Sequence, residues 1–320
     1  MKALQGEQGE VIWQKAPVPE CGAGQVRIKV VAAGLNRADL LQRAGLYPPP
    51  PGVTPILGLE CSGHIDALGE GVQQFSVGDA VCALLSGGGM AEYVVVDARH
   101  VLPVPKGMSL QQAAAIPEVY ATAWLNLFEL ARLQPGEKVL LHAGASGVGS
   151  AAIQLCKALN NPVWVSVGSA ERLAYCELLG AQGGAIRGED ISSLDGLKDW
   201  GPFDVILDPV GARYTDLNAR LIALDGRWVN IGLMGGHRAE IDLARLLSKR
   251  VQLIGSVLRT RSDDFKAQLM AQLQARVWPL FEQGVLDPRV DEVFAIEDGN
   301  AAFDRLASNR VSGKIVLTVN

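Results

Sequence analysis

The chain has 320 residues, 48% of them hydrophobic, with a formal net charge of -5. That length calls for two domains around separate cores, and the apolar fraction is ample to fill them. No basic block accompanies the charge, which excludes nucleic acid as a main partner, and no apolar run approaches the roughly 18 residues that would span a bilayer.

From residue 1 to about 115 the pattern is β-rich and broken by turns. Strand-like runs lie at Gln25–Ala32, Gly63–Leu68, Ala80–Leu85 and Met90–Val96. Between them stand Pro48-Pro49-Pro50-Pro51-Gly52, Gly69-Glu70-Gly71, Gly78-Asp79 and Gly87-Gly88-Gly89, all turn chemistry. Many short strands with few helices predict a partly closed β-rich barrel or sandwich. A helix over Leu110–Ala115 ends near Pro117, and another runs from Ala121 to Leu133. The opening Met1-Lys2-Ala3-Leu4-Gln5-Gly6 turns polar too soon for a secretory signal. The five cysteines are scattered without a Cys-x-x-Cys pair, which suits a reducing cytoplasm.

The rhythm then changes to strand–helix alternation. Strands are predicted at Lys138–His142, Val163–Val167, Gly184–Ile186, Asp204–Leu207, Arg227–Ile231 and Gln252–Val257. Helices are predicted at Val148–Leu159, Ala170–Leu179, Tyr214–Ala223 and Leu243–Lys249. This alternation predicts an α/β fold, a doubly wound six-stranded parallel sheet of the Rossmann type covered on both faces. A long helix (Asp264–Gln283), a strand (Val290–Ala295), a short helix (Gly299–Ser308) and a last strand (Lys314–Val319) follow, read as a return to the first domain.

Between the first of these strands and its helix lies Gly144-Ala145-Ser146-Gly147-Val148-Gly149. A strand, a glycine-rich turn and a helix in that order make a phosphate cradle, because glycine lets the backbone approach a pyrophosphate and the helix N-terminus faces the anion. The spacing, Gly-x-x-Gly-x-Gly, matches the mechanism rather than the usual dinucleotide order. At the end of the next strand an acidic residue would bind the ribose 2′-hydroxyl of NAD. Here Gly168 holds that place, followed by Ser169 and Arg172, a combination that favours the 2′-phosphate of NADPH. Ser169 serves equally as a helix cap, Arg172 as a solvated residue, and Glu171 is read as pointing outward.

Several segments together resemble the medium-chain dehydrogenase/reductases, in the zinc-free quinone oxidoreductase branch typified by zeta-crystallin. They include Leu35-Asn36-Arg37-Ala38-Asp39, Tyr47-Pro48-Pro49-Pro50-Pro51-Gly52, Gly58-Leu59-Glu60, Ala114-Ala115-Ile116-Pro117-Glu118 and the cradle itself. Ile231-Gly232-Leu233-Met234-Gly235-Gly236 and Leu258-Arg259-Thr260-Arg261 resemble the p53-inducible quinone oxidoreductase subgroup. The resemblance implies a GroES-like catalytic lobe from residues 1–118 and 259–320, a Rossmann NADPH-binding domain over 119–258, and an active cleft at their junction. It also implies a homodimer paired through the strand at Gln252–Val257. Zinc-dependent members carry a metal-ligating Cys and His where this chain has Asn36 and Leu59, and leucine cannot ligate zinc. No metal is therefore expected.

By the same resemblance, Asn36 and Tyr47 are the candidate catalytic residues, Asn36 also touching the cofactor. Asn36 would donate to a developing phenolate and Tyr47 would orient or protonate the acceptor. Their plainer roles are a helix cap and a packing partner of the prolines. Cofactor contacts would come from Thr122, Gly144, Ser146, Gly147, Val148, Gly149, Gly168, Ser169, Arg172, Arg187, Gly232, Leu233 and Asn309. The leading expectation is reduction of a small-molecule quinone by NADPH, since an electrophilic acceptor needs no Lewis acid. The alternatives are an NADPH-dependent enone or enoyl reductase, and an NADPH-binding sensor or structural protein with little turnover.

Overall fold

The computed structural model describes residues 1–7 and 9–319, and the chain separates into two compact units. The first comprises Met1–Ala121 and the chain from Leu258 onward; the second is Thr122–Val257.

The first unit is β-rich. Its strands are β1 (Lys2–Glu7), β2 (Glu10–Lys15), β3 (Gln25–Leu35), β4 (Glu60–Leu68), β5 (Ala80–Leu84), β6 (Tyr93–Asp97) and β7 (Val101–Pro103). Strands β1 and β2 form an antiparallel hairpin that the sequence reading did not anticipate. Only Ala3, Leu4 and Val11 of that hairpin are buried, too few for a clear period-two signal. The expected strand at Met90–Val96 begins later, at Tyr93. The helix expected over Ala121–Leu133 is Pro117–Trp124, continued by a π-helical stretch at Leu125–Leu130.

The second unit supplies β8 (Val139–His142), β9 (Val163–Val167), β10 (Gly183–Ile186), β11 (Phe203–Asp208), β12 (Ile222–Asn230) and β13 (Gln252–Gly255). All pair in parallel in the order β10-β9-β8-β11-β12-β13. This is the 3-2-1-4-5-6 order of a doubly wound dinucleotide fold, and the strand order reverses between β8 and β11. Ligands of such sheets bind outside the carboxyl ends of the strands at that reversal. Helices Gly147–Ala158, Ala170–Leu179 and Thr215–Leu221 connect the strands. Leu140, Ile206, Trp228, Phe203 and Leu217 belong to the core packed against them.

The C-terminal segment adds β14 (Val290–Ala295) and β15 (Lys314–Thr318) to the first unit. Its sheet runs β14-β15-β3-β4-β5-β7, with β6 also on β3. The helix expected over Asp264–Gln283 is two helices, Asp263–Arg276 and Trp278–Glu282. Pro279 in the first turn of the second lacks the N–H that a continuous helix would use there.

Candidate functional site

The cradle is built as the glycines require. Ser146 caps helix Gly147–Ala158, its Oγ accepting from the Gly149 N–H at 3.1 Å. A Cβ on Gly149 would lie 2.4 Å from the Gly144 carbonyl oxygen, and one on Gly144 would lie 2.6 Å from the Val165 side chain. Any larger residue would therefore push the helix off the turn and strands it packs against. Ala143 turns the chain with φ +54°, and the leading amides of the helix belong to Gly147 and Val148.

At the end of β9 the predicted ribose residues come together. Ser169 caps helix Ala170–Leu179 and accepts from the Arg172 N–H. An ideal Cβ on Gly168 would sit 3.2 Å from Arg172 Nη1 and 3.8 Å from Arg187 Nη2. Two guanidinium groups thus converge on the residue where NAD-binding folds place a carboxylate. Glu171 is exposed, and the neighbouring Ser169 side chain holds its carboxyl below the ordinary range. Arg172 adds attraction to that carboxyl.

Beneath the strand reversal lies a buried polar chain that the sequence reading missed. His142 ends β8, Ser166 stands near the end of β9 and Asp208 ends β11. His142 Nδ1 is 2.7 Å from Ser166 Oγ, and Nε2 is 2.7 Å from Asn218 Oδ1. Asn218 Nδ2 donates to Asp208 Oδ2 at 2.8 Å, and Trp228 Nε1 donates to the same oxygen at 3.2 Å. Asp208 Oδ1 accepts from the Val210 and Gly211 N–H groups at 2.6 and 3.0 Å. Burial holds the His142 imidazole below its ordinary pKa, opposed by Asp208 and Asn218. The signal in the sequence was Asp208 itself, a carboxylate closing an apolar strand run, where charge is kept only if it is satisfied.

In the first unit, Asn36 sits at the N-cap of helix Arg37–Arg43 within a buried charged cluster. Lys314 Nζ donates to Glu60 Oε1 and to Asn36 Oδ1, each at 2.6 Å, and to the Leu35 carbonyl at 2.9 Å. Asn36 Nδ2 donates to Glu60 Oε1 at 2.8 Å and reaches the Gly34 carbonyl at 3.4 Å. Glu60 Oε2 accepts from the Glu118 N–H at 2.9 Å. Asp39, fully buried, accepts from the Asn36 and Gly58 N–H groups; its burial raises its pKa to about 6. Tyr47 is half-buried, with the Arg259 guanidinium 5.1 Å from its ring centre. Burial and the nearby Glu118 raise the Tyr47 hydroxyl pKa, against the pull of Arg259.

The remaining predicted residues are more dispersed. Thr122 lies on helix Pro117–Trp124, and Gly232 and the exposed Leu233 follow β12. Asn309 belongs to the first unit, where it accepts from Arg37.

The donor set in the first unit does not suit zinc. Leu59 offers no ligand and is buried, while Asn36 Oδ1 is already occupied by the Lys314 ammonium. Among the described residues no cluster of three His, Cys, Asp or Glu side chains could hold a metal ion. Nor is any helix among them long and apolar enough to cross a membrane.

Comparison with known proteins agrees with this architecture. Residues 22–106 match the alcohol dehydrogenase GroES-like domain, and residues 147–275 match the zinc-binding dehydrogenase family. The synaptic vesicle membrane protein VAT-1 homolog of Homo sapiens is 32% identical over 320 residues, covering 94% of this chain and 81% of that protein. Its counterpart in Danio rerio is 34% identical, and the aligned region spans 94% of this chain but only 65% of that longer relative. Among solved structures, mycobacterial Rv1454c complexed with NADPH has a TM-score of 0.89 at 26% identity, each chain covered in full. The CurK enoyl reductase has a TM-score of 0.86 at 28% identity, covering 100% of this chain and 99% of that one. A mycobacterial quinone oxidoreductase scores 0.85 at 26% identity over both whole chains. The chain belongs to the medium-chain dehydrogenase/reductase superfamily and is an oxidoreductase of that class.

Proposed function

We propose that the protein is an NADPH-dependent quinone reductase of the zinc-free branch. The observation that supports this reading is the convergence of Arg172 and Arg187 on Gly168, a pair of cations that would suit a 2′-phosphate. The likeness to an NADPH complex and to a quinone oxidoreductase supports it. Bound NADPH would supply the hydride by direct transfer to the acceptor. Gly144 and Gly149 let the helix pack close against the strands, and the Gly147 and Val148 amides at its start would hold the pyrophosphate, with Ser146 shaping the turn. Ser169 adds a hydroxyl beside the two arginines. Thr122, Gly232 and Leu233 serve the nicotinamide end, and Asn309 the phosphate end.

In the acceptor region, the Tyr47 hydroxyl is protonated at neutral pH, like any tyrosine, and would donate a hydrogen bond that orients a quinone. Burial and Glu118 raise its pKa, which favours this orienting role over proton transfer. The Asn36 Nδ2 hydrogen facing Gly34 is the weaker held of the two, and it is the one available to a phenolate oxygen. A homodimer formed through the edge strand β13 belongs to this reading, since Leu253 and nearby Val257 are 46% and 47% exposed. The likeness to the CurK enoyl reductase favours a second reading, hydride delivery to the carbon of an enone or enoyl group.

Steady-state kinetics test the proposal. Arg172→Ala should raise the KM for NADPH by about tenfold, the worth of a charge-assisted hydrogen bond, and leave that for NADH nearly unchanged. Equal effects on both would remove the phosphate role. Quinones should outpace enones and crotonyl thioesters as acceptors. The reverse order would install the enoyl reductase reading, and no acceleration by any acceptor would leave a binding protein.

A further inference from the structure

The loops assigned to the nucleotide leave neighbouring strand ends. The cradle departs from His142, the ribose-end turn follows Ser166, and the turn 209–211 follows Asp208. The glycine-rich loop 232–236 is tied to that last turn: Ile231 donates to the Asp208 carbonyl at 2.9 Å, and Gly235 donates to the Val210 carbonyl at 2.7 Å. The Ala212 N–H donates in return to the Gly236 carbonyl at 3.0 Å.

The hydrogen-bond chain beneath these loops has a fixed direction. The Asp208 carboxylate can only accept, so Asn218 must present its amide nitrogen to Asp208 and its oxygen to His142. His142 must then carry its proton on Nε2, and Nδ1 accepts from the Ser166 hydroxyl. Ser166, His142, Asn218 and Asp208 are all buried, and the Tyr214 ring meets the imidazole edge-on with centroids 4.6 Å apart. Both imidazole nitrogens are engaged, so His142 is not placed to exchange protons with a ligand. Apolar side chains would fill this space at lower desolvation cost. Backbone pairing already sets His142 beside Ser166. What the polar chain adds is a side-chain link from these strand ends to Asp208, whose carboxylate holds two amides of the 209–211 turn.

We propose that His142 and Asp208 are positioning residues that lock the cradle and ribose-end loops to the 209–211 and 232–236 loops, setting nucleotide affinity without touching the nucleotide. The inference rests on the pyridine-nucleotide reading of this domain. Preorganisation of this kind is sensitive to small displacements, since a misplacement of about 1 Å can cost up to a hundredfold.

Two measurements on the full-length protein test it. Nitrogen-15 spectra of the histidine rings should show His142 protonated on Nε2 alone, unchanged from about pH 5 to 8. Fluorescence titration with NADPH, well below each variant's melting temperature, should show Ser166→Ala binding about tenfold more weakly and His142→Phe more weakly still. His142→Gln, whose amide N–H can still reach Asn218, should recover part of the loss. Folded variants that melt earlier yet bind NADPH as the wild type does would overturn the proposal, as would a proton on Nδ1. If His142→Phe does not fold, Ser166→Ala carries the binding arm. Wild-type protein that binds neither NADPH nor NADH would instead strike down the cofactor reading, leaving the ring spectrum to report on the chain alone.

Discussion

The Glu60 carboxylate of the first unit meets an ammonium, whereas the Asp208 carboxylate of the second meets dipoles. Glu60 shares Lys314 with Asn36 and the Leu35 carbonyl, so the ammonium's three hydrogens are all engaged. Asp208 is held by the Val210, Gly211, Asn218 and Trp228 N–H groups, and no ion pair joins it among the described residues. An ion pair concentrates the compensation of a buried charge in one partner, while a set of dipoles divides it. The first arrangement fastens two distant pieces of chain, residues 60 and 314, which are 254 positions apart. The second shapes a turn at the carboxyl end of a central strand of the sheet.

If that contrast holds, removing one partner should be far more damaging in the first cluster. Lys314→Met leaves the buried Glu60 without its counter-charge, held only by the Asn36 amide and the Glu118 N–H, and should cost roughly 3–5 kcal/mol of stability in denaturant unfolding. Adding Glu60→Leu to the same chain should restore a large part of that loss, because it removes the uncompensated charge. A cost below about 1 kcal/mol for the single variant would mean that water, not Lys314, compensates Glu60.

The second expectation sharpens the comparison through pH. Asp39 lies beside the ion pair and is satisfied by two backbone amides; burial raises its pKa from 3.8 to about 6. The folded carboxyl therefore takes its proton more readily than the unfolded one. Its stabilising contribution is complete below pH 3.8 and is lost as pH rises through about 6. The full swing is on the order of 3 kcal/mol. Wild-type protein should lose stability relative to Asp39→Asn across that window, read from unfolding midpoints at a series of pH values. A constant difference would remove the raised pKa.

Much of this architecture was legible because the second unit is written in unambiguous punctuation. Its strand runs are apolar, bounded by glycine or turn residues, and they alternate with helices, so five of the six match the structure within two residues at each end. The β12 strand was the exception, starting at Ile222 rather than Arg227 because Asp225 and Gly226 read as a turn. The N-terminal hairpin was not legible, since its alternation is weak. The glycine-rich turn before helix Gly147–Ala158 and the grouping around Gly168 were readable as local structure because they sit at motif spacing or at the ends of consecutive strands. The buried chain was not: its members are spread from residue 142 to residue 228, and each taken alone is an ordinary core or loop residue.

The smallest expected effect tests whether compensation in the second unit is truly shared. Trp228→Phe removes one donor from Asp208 Oδ2 and part of a buried ring, while Asn218 still donates to the same oxygen. The loss should be roughly 1–2 kcal/mol, a hydrogen bond to a charged acceptor plus a small cavity. It should fall well short of the Lys314→Met effect although both residues contact a buried carboxylate. NADPH affinity should stay near the wild-type value, because the two amides of the 209–211 turn and the link through His142 are left in place. Should Trp228→Phe prove as costly as Lys314→Met, Asp208 would depend on one dominant partner, and the contrast between the two units would collapse into a difference of geometry alone.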